Sequence, residues 1–292
     1  MAGVCVVGSV NLDLSLAVEA LPRPGETVLA SSLTHAPGGK GGNQAVAAAR
    51  AGAQVQFVGA VGDDAAAGRL RAHLEANGVG LDGVAEISGP SGTAVVVVDA
   101  NAENTIVVVP GANGRLTLTD DRARAVVARC DVMLTQLEIP VATAVAAARH
   151  ARSAGAVVVV NASPAGQDPG PLSELAAAAD VVITNQDEAV EWPWRPEHLV
   201  VTLGARGARY EGADGEYTVA APAVDAVDTT GAGDVFAGVL AASWPPHPGS
   251  PDQRRLAVQR ACAAGALATL VAGAGDCAPD VDAIDKALRG AP

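Results

Sequence analysis

Residues 228–239 read Asp-Thr-Thr-Gly-Ala-Gly-Asp-Val-Phe-Ala-Gly-Val. A polar turn and a run of small residues lead straight into an apolar helical pattern. Gly231, Ala232 and Gly233 leave backbone N–H groups uncovered at the start of that helix. The positive end of the helix dipole points the same way, so the turn suits an anion. Asp234 falls where those N–H groups converge. A carboxylate there repels a bound phosphate unless it has a chemical task. The task that fits is general base, taking the proton of a hydroxyl as that hydroxyl attacks a phosphoryl group. An ordinary capped helix after a glycine turn has the same composition, so this stretch alone leaves both readings open.

A second glycine-rich stretch lies far upstream. Residues 38–43 read Gly-Gly-Lys-Gly-Gly-Asn, followed by Gln44 and a run of alanines. Glycines let a backbone approach a ligand closely. Asn43 offers both a donor and an acceptor to sugar hydroxyls. Lys40 is one of two lysines in the chain, with Lys286. The spacing matches neither a Walker phosphate loop nor a dinucleotide-binding fingerprint. A flexible turn is the competing reading.

Around these stretches, strand and helix patterns alternate. Short apolar runs at 4–7, 55–58, 132–136, 157–161, 180–184 and 199–203 predict buried strands. Residues 44–50 start a predicted helix, and 65–77 predict another that closes near Gly78. This alternation predicts an α/β fold with a mostly parallel sheet and helices on both faces. Ligands of such sheets bind at the carboxyl ends of the strands, and Asn11, Glu138, Asn161, Asn185 and Gly204 all follow predicted strands there. Two segments, 15–36 and 93–109, break the alternation and look like strand pairs. The second carries the turn Asp99-Ala100-Asn101-Ala102-Glu103-Asn104 between β-branched runs.

Composition bounds the function classes. The 292 residues suffice for a large core, 49% of them hydrophobic but only 2% aromatic, so that core must be built from Ala, Val and Leu. A formal charge of −13 argues against nucleic acid or an anionic membrane as partner. It leaves room for a nucleotide, whose phosphates can be met locally. The four cysteines are scattered without metal spacing, which favours a reduced, cytoplasmic setting. The N-terminus enters a strand pattern without a basic flank or cleavage site, so a signal peptide is not expected. No apolar run is long enough to span a bilayer.

In order and spacing, several short stretches together resemble the PfkB-type carbohydrate kinases over nearly the whole chain. They are residues 8–13 (Gly-Ser-Val-Asn-Leu-Asp), 24–27 (Pro-Gly-Glu-Thr), 38–43, 59–64 (Gly-Ala-Val-Gly-Asp-Asp), 111–113 (Gly-Ala-Asn), 136–138 (Gln-Leu-Glu), 185–188 (Asn-Gln-Asp-Glu), 202–204 (Thr-Leu-Gly) and 228–234. The resemblance implies ATP-dependent phosphorylation of a sugar hydroxyl, with D-ribose and its 5-hydroxyl the nearest match. Another furanose, a nucleoside, or a catalytically idle binding protein are the alternatives. A nucleoside base needs aromatic or apolar walls, for which this chain has few aromatics.

The resemblance also distributes roles. Asn11, Asp13, Gly39, Lys40, Asn43 and Glu138 fall on the sugar; Asp13 suits two vicinal hydroxyls as a bidentate acceptor, whereas an Asx turn would need no ligand. Glu138 could equally cap a helix before Pro140. Asn185 and Glu188 fall beside the phosphates and Mg²⁺, although a strand-end cap with a first-turn Glu reads the same way. Thr202, Gly204 and Gly207 resemble a nucleotide-binding turn, or a plain hairpin. Asp228 and Thr230, with Ala268, Val271, Gly273 and Cys277, match a monovalent-cation site for K⁺. Cys277 departs from the hydroxyl common there, and a thiol is a poor potassium ligand. The segments 13–39 and 92–113 are implied to form a small β-sheet lid, inserted in a core of 1–12, 40–91 and 114–292. The lid shields the transferred phosphoryl group from water and pairs with a second copy in a homodimer.

One stretch departs from the family. After Glu188 the chain runs Ala-Val-Glu-Trp-Pro-Trp-Arg-Pro-Glu-His into the next strand, where the family has more helix. The prolines flanking Trp194 forbid much helix. Trp192 or Trp194 is expected to fill the gap in the core rather than stack on a base.

Overall fold

Val4 and Val6 face one layer of helices while Cys5 and Val7 face another, which is the alternation of a strand buried on both sides. The computed structural model describes residues 2–101 and 103–290. Ala102 of the predicted turn, and positions 1, 291 and 292 of the predicted core segments, lie outside them.

The large sheet is built from β1 (Gly3–Val7), β4 (Gln54–Val61), β5 (Gly80–Glu86), β8 (Val132–Thr135), β9 (Val157–Asn161), β10 (Val181–Thr184), β11 (His198–Thr202), β12 (Ala208–Gly212) and β13 (Gly215–Val219). Its nine strands run in the order β13-β12-β11-β10-β9-β8-β1-β4-β5. All pairs from β5 to β11 are parallel, and β12 and β13 add an antiparallel edge. One face carries α1 (Lys40–Arg50), α2 (Ala65–Ala76), α7 (Ala232–Ser243) and α8 (Pro251–Ala268). The other carries α3 (Asp121–Val127), α4 (Val141–Ser153) and α5 (Pro169–Ala178). α6 (Gln186–Glu191) follows β10, and α9 (Val281–Gly290) packs Ile284 against α7 and α8. Alanines and valines fill both layers, as the low aromatic content requires. No helix among the described residues is long and apolar enough to cross a membrane.

A separate four-stranded sheet comprises β2 (Asn11–Ala17), β3 (Ser32–Gly38), β6 (Gly92–Val98) and β7 (Asn104–Val109), in the order β3-β2-β6-β7. Both segments that break the alternation are hairpins of this sheet. Every residue of β7 is exposed.

Two local expectations are corrected or sharpened. The first helix begins at Lys40, not at Gln44. Gly41 and Gly42 are helical because the first turn lies directly on the Ser9 loop: Gly42 N–H donates to Ser9 O at 2.8 Å, and a Cβ at Gly41 would stand 2.7 Å from the backbone of Ser9. The glycines provide proximity rather than flexibility. In the short connection after α6, Trp192 is 6% exposed and meets Trp194 edge-on with ring centroids 5.1 Å apart. Both belong to the core layer, as expected for a side chain that replaces missing helix.

Candidate active site

The carboxyl ends of β1, β8, β9, β10 and β11 share one edge of the sheet, and β2 starts beside it at Asn11. Asn113 ties the start of β2 down. Its Nδ2 donates to Asn11 Oδ1 at 2.8 Å, and Val10 N–H donates to its Oδ1 at 3.1 Å. Glu138, just past β8, accepts from Ser9 Oγ at 2.6 Å and from Lys40 N–H at 3.1 Å through one oxygen. It therefore locks the loop after β1 to the start of α1 instead of capping α4.

Asp13 sits against Gly38 on the neighbouring strand, where a Cβ would stand 2.0 Å from its Oδ2. Its Oδ1 is buried and has no partner among the described residues. Burial, with Glu138 and Asp234 nearby, pushes its carboxyl up to about 7. A buried acceptor without a donor is costly and calls for an explanation.

Asp234 lies in the first turn of α7 and is buried. The helix starts from Gly231 at φ 78°, where a Cβ would stand 2.8 Å from Ala274 Cα. Only glycine fits there without strain. Asn43 Nδ2 donates to Asp234 Oδ2 at 3.0 Å and Gln44 Nε2 to Oδ1 at 3.1 Å. Burial raises the carboxyl above its ordinary range and Glu138 adds to this, while Lys40 and the two amides oppose it. Lys40 is the counter-charge. Burial works against its ammonium, but Asp234, Glu138 and Glu188 outweigh that and hold its pKa above the usual value. Ala232 N–H is engaged by Thr229 O at 3.3 Å, so of the three residues at this turn it is the one already satisfied.

Two cavities meet at this point. One, about 180 Å³, is lined by Lys40, Asn161, Asn185, Glu188, Gly231 and Asp234. The other, about 500 Å³, is mostly apolar and runs past Gly204 and Gly207 to Ala226, Cys262 and Thr269. Thr202 and Gly233 line both. The larger volume is in the range of small-molecule sites. Its far wall, the 221–226 loop and one stripe of α8, was missing from the sequence reading. Cys262, Gly265, Ala266 and Thr269 recur at helical spacing, and that stripe of small residues was the available signal.

Asn185 and Glu188 form a reciprocal cap of α6: Glu188 N–H donates to Asn185 Oδ1 and Asn185 N–H to Glu188 Oε2, each at 2.8 Å. The plain structural alternative is thus realised, and the pair faces the smaller cavity as well. Thr202, Gly204 and Gly207 lie on the β11–β12 hairpin and line the larger cavity.

Asp228 bridges two turns, accepting from Thr230 N–H and from Gly273 N–H, each at 2.8 Å. Burial opposes its charge, yet these bonds hold its carboxyl below the ordinary range. Cys277 Sγ lies 3.3 Å from Ala274 O and 3.9 Å from Thr230 O. Ala268 O is taken by Val271 N–H at 3.2 Å, and it is Thr269 O, between those two positions, that accepts from Asp228 N–H at 3.0 Å.

The family model for pfkB family carbohydrate kinases matches residues 1–281. The chain belongs to the pfkB family of carbohydrate kinases. Among its relatives in that family, a ribokinase of Bacillus subtilis is 39% identical over 249 residues, covering 81% of this chain and 83% of the relative. A deoxyribokinase of Salmonella typhimurium is 33% identical over 263 residues, covering 82% and 84%. The structure of a ribokinase from Arabidopsis thaliana complexed with ribose and ATP superposes with a TM-score of 0.89 at 29% identity, covering 99% of both chains. The fold is the ribokinase-like α/β fold of this family, a large mostly parallel sheet with a separate small one.

Proposed function

We propose that this pfkB-family kinase transfers the γ-phosphoryl group of ATP to the 5-hydroxyl of D-ribose. The observation that carries the reading is the buried Asp234 carboxylate at the junction of a polar cavity and a larger apolar one. The names of the relatives support the sugar. Asn11, Asp13, Gly39, Lys40, Asn43 and Glu138 hold it, with Asp13 accepting from two hydroxyls. The nucleotide lies along the 500 Å³ cavity with its base between the 202–207 turn and α8.

Asp234 takes the hydroxyl proton as the oxygen forms its bond to the γ-phosphorus. The bond from that phosphorus to the bridging oxygen breaks, and its electron pair leaves with ADP. The N–H groups of Gly231 and Gly233, at the positive end of α7, stabilise charge on the transferred group. Ala232 N–H contributes less, because Thr229 O already holds it. Lys40 balances the carboxylates that surround the sugar.

Glu188 and Asn185 would hold the hydrated Mg²⁺ of the nucleotide, which offsets phosphate charge. The fit is good: Glu188 Oε2 is used by the helix cap, and Oε1 accepts no hydrogen bond among the described residues. Asp228, Thr230, Ala268, Val271, Gly273 and Cys277 would hold K⁺. An ionised carboxylate among backbone carbonyls is the oxygen-rich donor set such an ion takes. The segments 13–39 and 92–113 act as the lid on the core. The exposed β7 strand, with Ile106, Val107, Val108 and Val109, pairs with a second copy. Four free cysteines agree with a cytoplasmic setting.

The test is turnover with ATP and Mg²⁺ against ribose, 2-deoxyribose, fructose and a purine nucleoside. The reading requires the highest kcat/KM with ribose and a product phosphorylated at O5. A nucleoside as best substrate, or no turnover with any of the panel, would overturn it.

A further inference from the structure

Gln44 follows the glycine-rich stretch and is fully buried. Its amide and that of Asn43 come from adjacent positions of α1 and grip opposite oxygens of one carboxylate. Gln44 Oε1 is buried and has no partner among the described residues. A carboxylate only accepts, so Nε2 must be the atom turned to Asp234, and the oxygen is left unpaired. If position 44 served packing alone, an apolar side chain of similar length would avoid that cost. The backbone is arranged around the same contact. A Cβ at Gly238, one turn after Asp234, would stand 2.3 Å from the Gln44 carbonyl oxygen and 2.9 Å from Ala47 Cβ. Gly238 thus lets α7 lie on α1 backbone to backbone, close enough for two short amide arms to reach the carboxylate.

We infer that Gln44 is a positioning residue for phosphoryl transfer: with Asn43 it fixes the plane of the Asp234 carboxylate, so that a free lone pair meets the substrate hydroxyl. The inference rests on Asp234 being the base. Gln44 exchanges no atom; the proton moves from the hydroxyl to Asp234. Asp234 is faced by Lys40, Asn43 and Gln44 from α1, by Glu138 from the turn after β8, by Asp13 from β2, and by the Cys277 thiol, which burial keeps neutral. Of these, Asn43, Gln44 and Cys277 can be replaced without adding or removing a charge, and among the three only Gln44 lies outside the proposed sugar and cation sites.

The experiment measures kcat and both KM values from pH 5.5 to 9 for Gln44→Met, which keeps length and loses the donor, and for Gln44→Asn, which draws the donor back. A hydrogen bond to a charged group is strong enough to move the acid limb of kcat up by about one to two pH units when lost. That is a tenfold to hundredfold loss on the limb, shrinking as pH rises, with KM for ribose and ATP nearly unchanged. A lower melting temperature with the limb unmoved in both variants would reduce Gln44 to packing and overturn the inference. Asp234→Asn, run in parallel, separates the two ideas. If it is inactive while the Gln44 profiles are unmoved, only the Gln44 inference fails; if it is active, the base assignment itself fails.

Discussion

Asn43 and Asp234 stand 191 positions apart and meet through a 3.0 Å hydrogen bond, Nδ2 donating to Oδ2. The bond joins α1 to the start of α7, that is, the proposed sugar side of the site to the proposed phosphate side. Asp234→Asn should therefore test the chemistry with little damage to the fold. Removing a buried charge relieves its desolvation, and an amide can still pair with Asn43 and Gln44 after they reorient. We expect kcat to fall by ~10²–10⁴-fold, ribose affinity to survive, and the melting temperature to hold or rise. Steady-state kinetics and calorimetry check it; near-normal turnover would remove Asp234 from the base role.

Asp13 supplies a pH test. Burial pushes its carboxyl up to about 7, and only the ionised form accepts from two hydroxyls. Ribose affinity should rise about tenfold per pH unit below 7 and level off above it. The linkage runs the other way for the free protein: a carboxyl raised above its unfolded value favours the fold at low pH and loses that contribution as pH climbs from about 4 to about 7. Asp13→Asn should then stabilise the sugar-free protein at pH 8 and weaken ribose binding. Titration calorimetry with a flat ribose affinity from pH 5.5 to 8 would place the sugar elsewhere.

Cys277 offers a test of the cation. The thiol, pushed up to about 11 by burial, lies beside Thr230 O and Ala274 O, next to the Asp228 bridge. A hydroxyl is the better ligand for a hard cation. Cys277→Ser should lower the potassium concentration for half-activation, with maximal kcat little changed. Full activity of the dialysed wild-type enzyme in a buffer free of monovalent metal ions would show that no such site operates.

The β7 edge of the small sheet, the proposed lid, predicts an assembly. Val107 is 57% exposed in a strand whose every residue faces solvent. A charge at such an edge blocks strand pairing. Val107→Lys should convert a dimer to a monomer in sedimentation velocity and raise KM for ribose by loosening the lid. A wild-type chain that sediments as a monomer at micromolar concentration would contradict the pairing.

Much of this molecule was legible from local pattern. Period-two and unbroken apolar runs gave the strands at 4–7 and 157–161, β-branched runs about a polar turn gave the hairpins, and small residues before Asp234 gave a helix N-terminus. Those signals are local because side-chain period and turn chemistry act over a few residues. The start of α1 was not legible, since Gly41 and Gly42 read as loop until Ser9 is seen against them. Nor was the partner of Glu138, the stripe of α8 that walls the larger cavity, or the grip of Gln44 on Asp234. The raised carboxyl of Asp13 is the clearest case. Sequence supplies three acids, on β2 of the small sheet, after β8 of the large one and in α7; the tertiary fold brings these separate elements together, and proton affinity follows from that meeting rather than from any one residue.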